Sequence, residues 1–104
     1  MYFYILASVL ATLVGTDVYD VVMTEKGLKA GVAVESFTWL VGSKPTAVAL
    51  YLRDSLCMAM AAAPSIIAYA MGSTAAAYGM LAAPAVYAVK HVLGGLAWRK
   101  LGVK

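Results

Sequence analysis

Charge is scarce in this sequence: only 12% of its 104 residues are Asp, Glu, Lys or Arg, whereas 63% are hydrophobic. A soluble domain of this size has too much surface for its volume to hide so many apolar side chains. The solvent around most of the chain is therefore expected to be lipid, and the length leaves room for one domain, 1–104. Cysteine is almost absent as well. Cys57 stands alone inside an apolar run, which excludes an intramolecular disulfide and a Cys-rich metal site.

Histidine is equally rare. His91 is the sole one, and no acidic or cysteine cluster at ligand spacing accompanies it along the chain, so neither a metal nor a cofactor is expected. No Ser-His-Asp arrangement, phosphate-cradling loop or nucleotide motif is present. Gly27, Gly31, Gly94 and Gly95 lack the strand-to-helix setting of such a loop. The chain is expected to be non-enzymatic. Its opening apolar stretch has no Lys or Arg before Ile5, so the basic start of a cleaved signal is missing and the stretch is expected to remain in the mature protein.

The net charge of +3 comes from basic residues placed beside apolar runs, without the aromatic interleaving of a nucleic-acid stripe. No nucleic acid is expected as a partner; anionic lipid headgroups are. A hydrocarbon core about 30 Å thick needs about 20 helical residues to cross it. Three segments meet that length: Tyr2 to Met23, Pro45 to Met71 and Thr74 to Trp98. The fold class is thus all-α, an integral membrane protein of three transmembrane helices.

Between the first two spans, residues 32–42 are apolar but too short to span. With Glu35 at its polar break and Phe37 and Trp39 as anchors, this piece suits a short interfacial or re-entrant helix. The second and third spans are separated only by Gly72 and Ser73, which implies a tight antiparallel hairpin. Three crossings gather Lys26, Lys29, Lys44, Arg99, Lys100 and Lys104 on one side, so the N-terminus is expected outside and the C-terminus in the cytoplasm. Tyr2, Phe3 and Tyr4 at one edge and Trp98 at the other fit the aromatic belts of the interfaces.

Depth along the spans exposes the most informative pattern. At 1.5 Å of rise per residue, Asp17 and Asp20 lie roughly 5 to 9 Å inside the cytoplasmic end of the first span. On the same scale Arg53 and Asp54 lie roughly 12 to 14 Å inside the second, and Lys90 and His91 roughly 10 to 12 Å inside the third. A charge near the bilayer centre costs about 2.5 kcal/mol or more, so these residues are expected to pair inside the bundle. Asp17 and Asp20 share a helix face, and the guanidinium fork of Arg53 suits two carboxylates at once, leaving Lys90 for Asp54 or for a carboxylate of a neighbouring subunit and His91 as a hydrogen-bonding partner of a carboxylate. The plainest reading is a salt-bridge network that fixes helix register. A proton or ion relay, or a partner-binding site, would use the same parts.

Ala7, Ala11 and Gly15 recur every four residues on the other side of the first span, a small-residue stripe that permits close helix packing. Pro64 and Pro84 each free a carbonyl one turn earlier and imply kinks.

Two resemblances follow from these residues. Gly15 to Leu56 resembles a family of small prokaryotic membrane proteins defined only as a domain of unknown function. In that family an acid and a threonine close the first helix, a glycine and a glutamate follow, and a cation lies in the next helix; Asp20, Thr24, Gly31, Glu35 and Arg53 take those places here. The family's Asn-Pro after the glutamate is replaced by Ser36 and Phe37. That resemblance implies no activity. In plan, with a basic tail from Trp98 to Lys104 and the segment YLRDSL from Tyr51 to Leu56, the chain is also similar to three-span phage holins, which implies a pore former.

Taken together, these features lead to the expectation of a non-enzymatic membrane subunit that self-associates or joins other membrane subunits. Its organising element is the layer of Asp17, Asp20, Arg53, Asp54, Lys90 and His91. A holin-like pore former and a small ion or proton translocator are the alternatives.

Overall fold

The computed structural model describes residues 1–31, 42 and 45–103. Within them the chain is all-α: α1 (Tyr2–Ala30), α2 (Ala47–Ala70), α3 (Thr74–Met80) and α4 (Ala82–Lys100), with no strand among the described residues. The interfacial segment expected at 32–42, with Glu35, Phe37 and Trp39, lies outside the described residues apart from Gly42.

Two stretches are long and apolar enough to cross a membrane, α1 and the continuous run Thr74–Lys100 formed by α3 and α4. α2 has 24 residues, roughly 36 Å at helical rise, but its adjacent Arg53 and Asp54 lower its hydropathy. α1 continues beyond the expected boundary at Met23 to Ala30. The extension is supported by an ion pair between Glu25 and Lys29 at 2.8 Å, four residues apart, and by the burial of Thr24 and Gly27. Gly31, at φ 71°, ends the helix with its N–H on the Leu28 carbonyl.

The hairpin expected at Gly72 and Ser73 is present. Gly72 adopts φ 83°, its N–H bonds the Tyr69 carbonyl and the Ser73 N–H bonds the Ala68 carbonyl, a paired closure that only a left-handed residue allows without strain. The prolines act differently. α2 runs through Pro64 without a break, whereas α3 stops at Met80 and α4 restarts at Ala82, just before Pro84. The missing N–H of Pro84 would have bonded the Met80 carbonyl, which explains the position of the break.

α1 and α4 run parallel and are each other's main partner, and α2 returns antiparallel against both. The inward residues of the third segment are Ala77, Leu81, Pro84, Ala88, His91, Gly95 and Trp98, spaced alternately four and three apart, the spacing of a left-handed helix seam. On α1 the buried stripe includes Tyr2, Leu6, Leu13, Asp17, Asp20 and Thr24, with the same rhythm. At one end Tyr2, Leu6, Ala68, Ala77 and Leu81 form an apolar cluster, with Tyr2 stacked on Tyr69 at 4.2 Å and hydrogen-bonded to Ser65 at 2.8 Å. At the other end Met23, Trp98 and Val103 form a second cluster. The polar layer lies between them.

Small residues set the helix approach, though not the ones in the expected stripe. Ala7, Ala11 and Gly15 are exposed, and a Cβ on Gly15 would meet nothing within 4 Å. The close contacts occur at Gly27, whose missing side chain admits the Trp98 ring, and at Gly95, which admits the Tyr19 ring. Gly95→Ala is expected to destabilise the bundle by about 1–3 kcal/mol through overpacking. Gly15→Ala is expected to be neutral or to stabilise it by about 0.5–1 kcal/mol. Reversible unfolding in detergent micelles would measure the difference.

Candidate functional site

Asp17 and Asp20 project from the inward stripe of α1, Arg53 and Asp54 from the middle of α2, and His91 from the seam of α4. All five are buried, with His91 and Asp54 each only 1% exposed. Their side chains form a connected path. Arg53 Nε donates to Asp54 Oδ1 at 2.9 Å, and the Tyr87 hydroxyl donates to the same oxygen at 3.4 Å. His91 Nδ1 lies 2.8 Å from Asp20 Oδ2, and its Nε2 lies 3.6 Å from Asp17 Oδ1. The Tyr87 ring stacks on the imidazole at 4.4 Å. On the far side Trp98 Nε1 donates to Thr24 Oγ1 at 3.0 Å, and Thr24 Oγ1 donates to Asp20 Oδ1 at 3.4 Å.

An ionised carboxylate only accepts hydrogen bonds, so with Asp20 in that form the imidazole carries a hydrogen on Nδ1 and turns Nε2 toward Asp17. Gly94 makes this geometry accessible: a Cβ there would sit 2.7 Å from Asp20 Oδ1, so only glycine lets the carboxylate lie against the α4 backbone. One oxygen each of Asp17 and Asp54 and one ring nitrogen of His91 lie within 4.8 Å of one another. Three residues of metal-ligating type, far apart in sequence and on three different helices, therefore converge in the interior.

The pairings differ from those expected. Arg53 bonds Asp54, its immediate neighbour, in place of the α1 acids, while His91 has the carboxylate partners expected of it and they are Asp17 and Asp20. The reason is register: the α4 seam places His91 at the level of both α1 acids, while the Arg53 side chain folds back along α2. Lys90, one position off the seam, is exposed and holds its ammonium 5.5 Å from the centre of the Tyr87 ring. Trp98 is at the expected end of the third segment but is turned inward, because its N–H finds Thr24 and its ring fits over Gly27. Sequence reasoning missed Tyr87, Gly94 and Gly95 as members of the site. The alternating spacing along 77–98 is the signal that would have placed them.

A groove of about 400 Å³ also runs along the outer face between α1 and α4, lined by Thr12, Thr16, Ala88, Val89 and Val92 among others. The hydroxyls of Ser8, Thr12 and Thr16 bond carbonyls of their own helix, so the groove is apolar.

Removing Arg53 while Asp54 stays buried leaves an acid without its fork. Arg53→Ala is expected to cost about 3–5 kcal/mol, and adding Asp54→Asn should recover a large part of that loss. Unfolding of the two variants and the double variant in one detergent measures the coupling; additive effects would show that the pair is not direct.

Comparison of the chain with protein families, with curated proteins and with solved structures returns no match, and its function is read from this geometry.

Proposed function

We propose that the chain is a three-span, non-enzymatic membrane protein, a subunit of a homo-oligomer or larger membrane complex, with its bundle locked by the buried acid and imidazole layer. The observation that carries the reading is the direction of the helices. α1 and α4 pack side by side in parallel, so if both cross the bilayer the chain must return between them, and the antiparallel α2 has the length to do so. Its one charged step, Arg53 and Asp54, is turned inward and paired, which removes the main objection to its crossing.

The outer surface fits lipid: Phe3, Val18, Leu52, Leu56, Val86 and Leu93 are all exposed. Lys26, Lys29, Arg99 and Lys100 fall at the same end of the parallel pair, which supports a cytoplasmic location for that end and an outside location for Tyr2 and the Gly72 turn. Those basic side chains suit anionic headgroups. The unused stripe of Ala7, Ala11 and Gly15 beside the α1/α4 groove is where a helix of a second copy or of another subunit would approach.

Two measurements test the reading. A fluorescent reporter fused after Val103 should be active, and a periplasm-dependent phosphatase inserted at Gly72 should be active as well; the reverse pattern would overturn the orientation. Native mass spectrometry from lipid nanodiscs should give a small fixed oligomer or a defined complex without host toxicity. Large heterogeneous assemblies with abrupt membrane depolarisation would instead identify a holin-like pore former.

A further inference from the structure

Two acceptor oxygens of the layer find no donor among the described residues. Asp17 Oδ1 and Asp54 Oδ2 are buried and accept no hydrogen bond among the described residues, on side chains that are 7% and 1% exposed. Asp54 Oδ1 already receives Arg53 and Tyr87, so Oδ2 is the oxygen left over. In the neutral imidazole with its hydrogen on Nδ1, toward Asp20, the lone pair of Nε2 faces the lone pairs of Asp17 Oδ1 across 3.6 Å. Two acceptors face each other there, and a third is within reach.

We propose that Asp17, Asp54 and His91 bind a divalent transition-metal ion, of the Zn²⁺ or Mn²⁺ class. Ligand bonds of about 2.0–2.1 Å place neighbouring donors about 3.3 Å apart around a tetrahedral ion, close to the 3.6 Å between His91 Nε2 and Asp17 Oδ1. The full set lies within 4.8 Å and closes on an ion by side-chain rotations that move donor atoms by up to about 1 Å each. One imidazole with two carboxylates selects a borderline metal over Mg²⁺ or Ca²⁺, which prefer oxygen alone.

The surroundings match what such ions require. Asp20 on His91 Nδ1 is the carboxylate that holds a ligating imidazole in orientation and raises its basicity. Arg53 and Tyr87 hold the other oxygen of Asp54 in the same way. A single proton, whether on Nε2 or shared between the Asp17 and Asp54 carboxyls, bridges one pair of these groups; an ion engages all three and supplies positive charge to a layer of three acids. Three protein ligands leave a coordination position for water or a fourth donor.

The test uses the full chain in lipid nanodiscs, stripped with chelator and then titrated with Co²⁺ alone. The proposal expects intense visible d–d bands from a low-symmetry site, bleached by Zn²⁺, with about one ion per chain by elemental mass spectrometry. It also expects the near-isosteric Asp17→Asn, Asp54→Asn and His91→Gln to lose the bands, and Asp20→Asn to weaken binding roughly 10- to 100-fold while keeping the ligands. Only the pale spectrum of aqueous Co²⁺, with no retained metal in the wild-type chain, would overturn the proposal, and that arm needs no variant to fold. Equal retention by His91→Gln and Asp54→Asn, with helicity intact by circular dichroism, would overturn it too.

Discussion

The structure depends on the cost of an unpaired charge away from water. Inside an apolar helix bundle no solvent can complete a carboxylate or guanidinium, so each buried charge must find its partner on a neighbouring helix or on its own. Asp17, Asp20, Arg53, Asp54 and His91 lie in one layer, and their contacts join α1 to α4 and lie against α2. Apolar packing alone discriminates weakly among helix registers in lipid, because one aliphatic surface resembles another. A slip of α4 by one turn would carry His91 away from both acids of α1 and strand three buried groups at once. The layer thus specifies register where the two apolar clusters, around Tyr2 and around Trp98, supply only contact.

Close helix approach makes that layer geometrically available. Gly94 lets Asp20 lie on the α4 backbone, while Gly27 and Gly95 receive the aromatic rings of Trp98 and Tyr19. The rings then close the layer toward the Gly31 end, and Thr24 links Trp98 to Asp20. Toward the other end, the Tyr2, Ser65 and Ala77 hydrogen bonds tie all three segments together. Polar contacts that cross between helices are therefore concentrated on the seam, whereas the hydroxyls of Ser8, Thr12 and Thr16 on the outer face satisfy themselves within α1.

Much of this was legible in the sequence. The all-α class, the hairpin at Gly72 and the shared level of Asp17, Asp20, Arg53, Asp54 and His91, though not the inclusion of Lys90, follow from apolar run length and helical rise, which are one-dimensional quantities. Partner choice was not legible, because it depends on rotation about the helix axes. Residues i and i+1 do not ordinarily face each other, yet the long stem of Arg53 folds back onto Asp54. Trp98 was expected at an interface because tryptophan favours that boundary, but a buried hydroxyl for its N–H and a glycine beneath its ring outweigh the preference. The small-residue stripe of Ala7, Ala11 and Gly15 meets no helix among the described residues. Alanine-rich helices show such spacing often, and only a facing helix distinguishes a used stripe from an unused one.

The contact between the imidazole and the α1 acids is the most direct test of this account. Solid-state NMR on the chain in lipid bilayers, labelled with ¹³C in aspartate and ¹⁵N in histidine, measures magnetisation transfer from His91 Nδ1 to carboxyl carbons. Strong transfer to Asp20 is expected, at the range set by a 2.8 Å hydrogen bond, and its loss in the Asp20→Asn variant assigns the signal. Absence of any aspartate contact at His91 in the wild-type bundle would contradict it.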